Sequence, residues 1–88
     1  MTDHRVREVV CLKNVNPSIR KIYAVQLVQK VSSGNPDIFY IEIYSEKDSQ
    51  YTKEFMSHEL CKIEFDNIIL QKRIEGYNVY VEEYKRKL

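Results

Sequence analysis

Few residues in this chain can act on a substrate or hold an ion. Its 88 residues include two histidines, His4 and His58, and two cysteines, Cys11 and Cys61. His58 and Cys61 stand three residues apart, about one helical turn, a spacing at which two side chains can share a metal ion. A structural zinc site needs four ligands, and no second pair follows. Glu42, Glu54, Glu59 and Glu64 can form an acid–base pair only if folding brings two of them together. The ordinary state of such carboxylates is solvation at the surface. Gly34 and Gly76 are the only glycines, so there is no glycine-rich loop to cradle a phosphate. Neither histidine has a nucleophile set beside it. These residues point away from an enzyme, a metal centre or a bound cofactor, and no small-molecule substrate is evident.

Tyrosine is the other chemically capable type. There are seven, with no tryptophan. Tyr40, Tyr44, Tyr51, Tyr77, Tyr80 and Tyr84 lie on or beside stretches with strand character. Tyrosines beside lysines can stack bases. They can also anchor a protein interface, or sit half-buried with their hydroxyls in water. A net charge of +1 provides no global field for nucleic acid, which favours a protein partner.

The elements that position these residues centre on 57–77, SHELCKIEFDNIILQKRIEGY. Ser57 is a natural N-cap, and Glu59 suits the positive end of the helix dipole. Lys72 and Arg73 suit the negative end, and Gly76 can take the left-handed conformation that ends helices. At about 100° per residue, Cys61, Phe65, Ile68 and Ile69 share one face, which should cover a sheet. Ile63, Leu70 and Ile74 share nearly the opposite face. A surface helix needs only one apolar stripe. The second is either covered by a loop or the N-terminal segment, or left open for a partner.

Strand character falls at 6–13, 22–30, 38–45, 51–56 and 77–84. The breaks between them are NVNPSIR at 14–20, SSGNPD at 32–37 and EKDSQ at 46–50. Short reversals between successive strands imply an antiparallel sheet. The expected fold is therefore α+β, in the order β-β-β-β-α-β, with one helix packed across about five strands. Residues 1–5 read as a flexible arm, 6–84 as one domain and 85–88 as a charged tail. The two cysteines, one on a strand and one on the helix, read as buried free thiols rather than a disulfide or metal pair. No apolar run approaches the ~20 residues of a membrane span. The start, MTDHRVREVV, lacks the apolar core of a signal peptide. The expected location is intracellular, nuclear or cytoplasmic.

Three segments together resemble the WGR domain, a small module of DNA-dependent poly(ADP-ribose) polymerases and of bacterial proteins. Lys21-Ile22-Tyr23-Ala24-Val25-Gln26-Leu27 is similar to the family's strand ending in Gln-Leu. Glu54-Phe55-Met56-Ser57 resembles its Phe-x-Ser lead into the helix. Glu64-Phe65 and then Lys72-Arg73-Ile74-Glu75-Gly76-Tyr77 resemble its Phe and its Lys-x-x-x-Gly-Tyr exit. Where the family carries Trp-Gly-Arg, this chain has Tyr44-Ser45-Glu46. An aromatic is kept, the glycine is lost, and the cation has become an anion. The resemblance thus implies the fold, while phosphate attraction at that corner is replaced by repulsion.

Two functional expectations follow. The first is a non-catalytic module that binds a protein partner or a second copy through Ile63, Leu70 and Ile74, extended by Tyr44. The second is DNA or RNA binding through a reworked surface of Lys47, Lys53, Lys72 and Arg73 with the tyrosines.

Overall fold

The computed structural model describes residues 2–46 and 48–79. The chain folds as five antiparallel strands in one sheet with a single helix across it. The strands are β1 (Thr2–Asn14), β2 (Ile22–Ser32), β3 (Ile38–Tyr44), β4 (Ser49–Tyr51) and β5 (Tyr77–Val79). The helix α1 (His58–Ile74) lies between β4 and β5 in sequence. The spatial order is β4-β3-β2-β1-β5, so the chain runs as a meander and then crosses by α1 to the far edge. The α+β expectation holds in class, element order and strand number.

Several boundaries differ from those read in the sequence. β1 begins at Thr2, not at residue 6. The segment expected to be a flexible arm is paired with β2, Thr2 opposite Ser32 and Arg5 opposite Gln29. Backbone pairing organises this stretch, although most of its side chains are exposed. β4 begins at Ser49, inside the expected polar turn, and is interrupted after Tyr51. Thr52 then bonds Ile41 twice, its amide donating to the Ile41 carbonyl (2.9 Å) and its hydroxyl accepting from the Ile41 amide (3.0 Å). Pairing resumes where Phe39 and Phe55 exchange backbone bonds. β5 covers the start of the expected closing strand. The rest of that strand, the tail at 85–88, Met1 and Lys47 lie outside the described residues.

A bulge in β1 decides which side chains face the helix. Val6 stands opposite Val28, but Glu8 stands opposite Leu27, leaving Arg7 as the extra residue. The insertion flips the alternation, so Glu8, Val10 and Leu12 share the helix side with Leu27 and Val25. Val6 and His4 share the open side with Val28 and Lys30. The core is the layer between sheet and helix: Leu12, Val25, Leu27, Ile41, Cys61, Phe65 and Tyr77. Each large apolar side chain buried there contributes roughly 1.5–3 kcal/mol.

The helix ends follow local chemistry. The Ser57 hydroxyl accepts from the Leu60 amide at 3.4 Å. The last turn closes with Glu75 donating to Gln71 and Gly76 donating to Arg73, both at 3.1 Å. Gly76 has φ of 103°, the left-handed value that releases the chain into β5. The Val15 amide donates to the Gly76 carbonyl at 2.9 Å, tying this exit to the β1–β2 loop.

Candidate functional site

The candidate site is the outer face of α1. At 3.6 residues per turn, the inner face carries Cys61 and Phe65, both essentially without exposure, with Ile68 and Ile69 packed beside them. Half a turn away, Ile63 is 58% exposed, Leu70 57% and Ile74 72%. Leu60, at 57%, belongs to the same face, and Met56, at 67%, lies just ahead of the cap. Leu60 and Met56 are absent from the sequence expectation because they lie beside, not directly opposite, the core stripe. Their signal was the continuation of apolar residues at helical spacing.

No described segment covers this face. Residues 2–5, the natural N-terminal candidate for a cover, are held along β2 instead. Around the aliphatics stand exposed Glu59, Asp66, Asn67, Gln71 and Arg73. The face thus has an apolar centre and a polar, charged margin.

Tyr44 does not join this surface. Phe39, Ile41 and Ile43 of β3 point to the helix side. Strand alternation therefore puts Tyr40, Glu42 and Tyr44 on the open side. There Glu42 accepts from the Gln26 amide at 2.8 Å and from the Ser49 hydroxyl at 3.4 Å. Tyr51 lies tilted against Tyr40 with centroids 5.8 Å apart, and His4 meets Tyr40 edge-on at 6.4 Å. The sheet separates Tyr44 from Ile63, Leu70 and Ile74, so the proposed extension of the interface by Tyr44 is corrected. The reason is period two in β3, which sends neighbouring residues to opposite faces.

The four basic candidates do not form one patch. Lys53 precedes α1 and Lys72 lies in its last turn, at opposite ends of a helix about 25 Å long. The Lys53 ammonium stands 5.4 Å from the Phe55 ring centroid. Lys72 stands 4.1 Å above Tyr23 and 3.6 Å from Glu75. Arg73 is exposed beside the outer helix face, and Lys47 lies outside the described residues. Lys21 also approaches the Tyr23 ring, at 4.9 Å. Its hydrogen bond to the phenol, with the nearby Lys72 charge, lowers the Tyr23 pKa below the usual phenol value. The two cations at Tyr23 thus serve an intramolecular aromatic contact. The corner after β3 carries Glu46 and Asp48, both exposed, and Arg20 and Lys21 line the same pocket.

His58 and Cys61 also part company. The His58 ring packs edge-on against Phe39 at 5.4 Å. Cys61 is buried, and burial with the nearby Glu64 charge pushes its thiol up to about 11. Cys11 lies half-buried in β1 opposite Ala24, on the open side. Both cysteines are free, and the sheet stands between them. Among the described residues, no three His, Cys, Asp or Glu side chains gather where they could hold a metal ion. Among the same residues, no helix is long and apolar enough to cross a membrane.

No protein-family model, curated protein or solved structure matches the chain. The fold and surface define a small α+β module whose one helix has a buried face and an open apolar face.

Proposed function

We propose that this chain is a non-catalytic, WGR-like interaction module that binds a protein partner through the outer face of α1. The observation that carries the reading is the exposure of Ile63, Leu70 and Ile74 along one side of a well-capped helix. Nothing in the helix itself calls for them, because polar residues would serve its propensity as well at exposed sites. Partner binding would bury these aliphatics inside the margin of Glu59, Asp66 and Arg73. The element order and the capped lead at Ser57 and exit at Gly76 support the WGR-like assignment. An intracellular setting, nuclear or cytoplasmic, belongs to the same proposal. The dispersal of the basic residues Lys53, Lys72 and Arg73 weighs for protein over nucleic acid.

Light scattering of the chain, with and without a short DNA duplex at low and moderate salt, tests the choice. The expected result is a mass indifferent to DNA. A mass shift with DNA that collapses as salt rises would overturn the protein reading and make Lys53, Lys72 and Arg73 the residues to mutate.

A further inference from the structure

Resting on the helix-face reading above, we infer that the occupant of this face is the same face of a second copy, docked antiparallel as a short coiled-coil seam. The exposed face is more regular than an apolar stripe. Leu60, Ile63, Asn67, Leu70 and Ile74 follow one another at spacings of three, four, three and four residues. That is the alternation of a heptad seam. All five are exposed. The residues on the other side of the helix, Cys61, Phe65 and Ile68, pack on the chain's own sheet. Two copies can therefore meet helix to helix with their sheets outward, in four layers.

Charge selects the orientation and register. In the antiparallel pairing that sets Ile63 opposite Ile74 of the second copy, Asn67 lies opposite Leu70. Asp66 then flanks Arg73 of the second copy, and symmetry repeats the pair. Glu64 flanks Gln71, a neutral contact. A slip of one heptad toward the helix start sets Asp66 against Asp66 and Glu64 against Glu64, and its two Glu59–Arg73 pairs only offset those repulsions, whereas the first register has attractions alone. Parallel pairing sets Glu59 against Glu64 and leaves Arg73 without an anion. Opposed helix dipoles also favour the antiparallel arrangement. Asn67 is a polar residue within the seam, a device that narrows pairing choices at a cost in affinity. The overlap is only about three turns, so the dimer should be weak and concentration-dependent.

The test is sedimentation equilibrium of the full chain across a wide concentration range, with helicity of each variant checked by circular dichroism. Asp66→Arg and Arg73→Asp should each weaken the dimer about tenfold, because two symmetry-related ion pairs become two like-charge pairs. The double variant should recover the wild-type constant. Residues 66 and 73 are two turns apart on one helix and do not meet within a copy, so recovery requires the second copy. Asn67→Leu should tighten association by about tenfold or more. A chain that stays monomeric at every concentration overturns the second-copy inference, while the helix face remains a site for another protein. A dimer that Leu70→Asp dissociates but that Asp66→Arg and Arg73→Asp each leave unchanged overturns the antiparallel register. A dimer indifferent to Leu70→Asp sinks the seam.

Discussion

Leu70→Asp and Phe65→Ala are changes on opposite sides of the same helix, and their consequences should separate sharply. Phe65 is 1% exposed in the core layer. Truncating it removes most of a buried ring and leaves a cavity, which costs about 3–5 kcal/mol. Leu70 is more than half exposed. Replacing it loses less than half of a ~2 kcal/mol transfer gain. The poorer helix propensity of Asp adds about 0.5 kcal/mol. The sum is roughly 1–1.5 kcal/mol, against a total stability of about 4–13 kcal/mol for a chain of this length. Urea denaturation followed by helix ellipticity, at concentrations low enough to suppress association, measures both. Leu70→Asp should remain folded with a modestly lower midpoint, while Phe65→Ala should lose much or all of its cooperative transition. If Leu70→Asp unfolds the domain as Phe65→Ala does, the outer face is core and the interaction reading fails.

Two further outcomes follow from single residues. The Cys61 thiol is raised from 9.0 to about 11 by burial, so between these values the unfolded chain releases a proton that the folded chain keeps. Its contribution to stability is complete below pH 9.0, declines with rising pH, and is lost above about 11. Comparing denaturation midpoints across that window, Cys61→Ala should lack this part of the decline; an identical decline in both proteins would show that Cys61 is not its source. Gly76→Ala places a Cβ on a residue with φ of 103°, with an expected cost of about 1–2 kcal/mol. No neighbouring atom comes within 3.9 Å of that Cβ, so the cost is backbone strain, and a midpoint equal to wild type would contradict the left-handed exit.

The features legible in the sequence were those decided by local chemistry. Ser57 caps α1, Gly76 ends it, and Cys61 and Phe65 face the core because spacing alone fixes those outcomes. The less legible features were those decided by pairing. Nothing in the exposed side chains of Thr2 to Arg5 marks them as strand; they are ordered by backbone bonds to β2. The Arg7 bulge is a matter of register, and it determines that Glu8 rather than Arg7 reaches Lys62, at 2.7 Å. Thr52 breaks β4 by bonding Ile41 through its hydroxyl, a role that strand propensity does not encode. For the site, helical period located Ile63, Leu70 and Ile74 correctly on one face. Grouping Tyr44 with them required knowing which side of the sheet α1 would cover, and that depends on tertiary packing.

The two faces of α1 contribute unequally to folding. The inner residues are buried within one copy, so changes there alter stability first. The outer aliphatics lose little on unfolding, since more than half of each side chain is already in water. They are therefore freer to change without loss of the fold, and at such positions charged residues would improve solubility. A run of Leu60, Ile63, Leu70 and Ile74 at heptad spacing, broken by Asn67 and flanked by Asp66 and Arg73, is the opposite choice. An apolar face held open to water raises the free energy of the isolated copy. The docking proposed above would relieve that cost, and the flanking charges would restrict which geometry could do so.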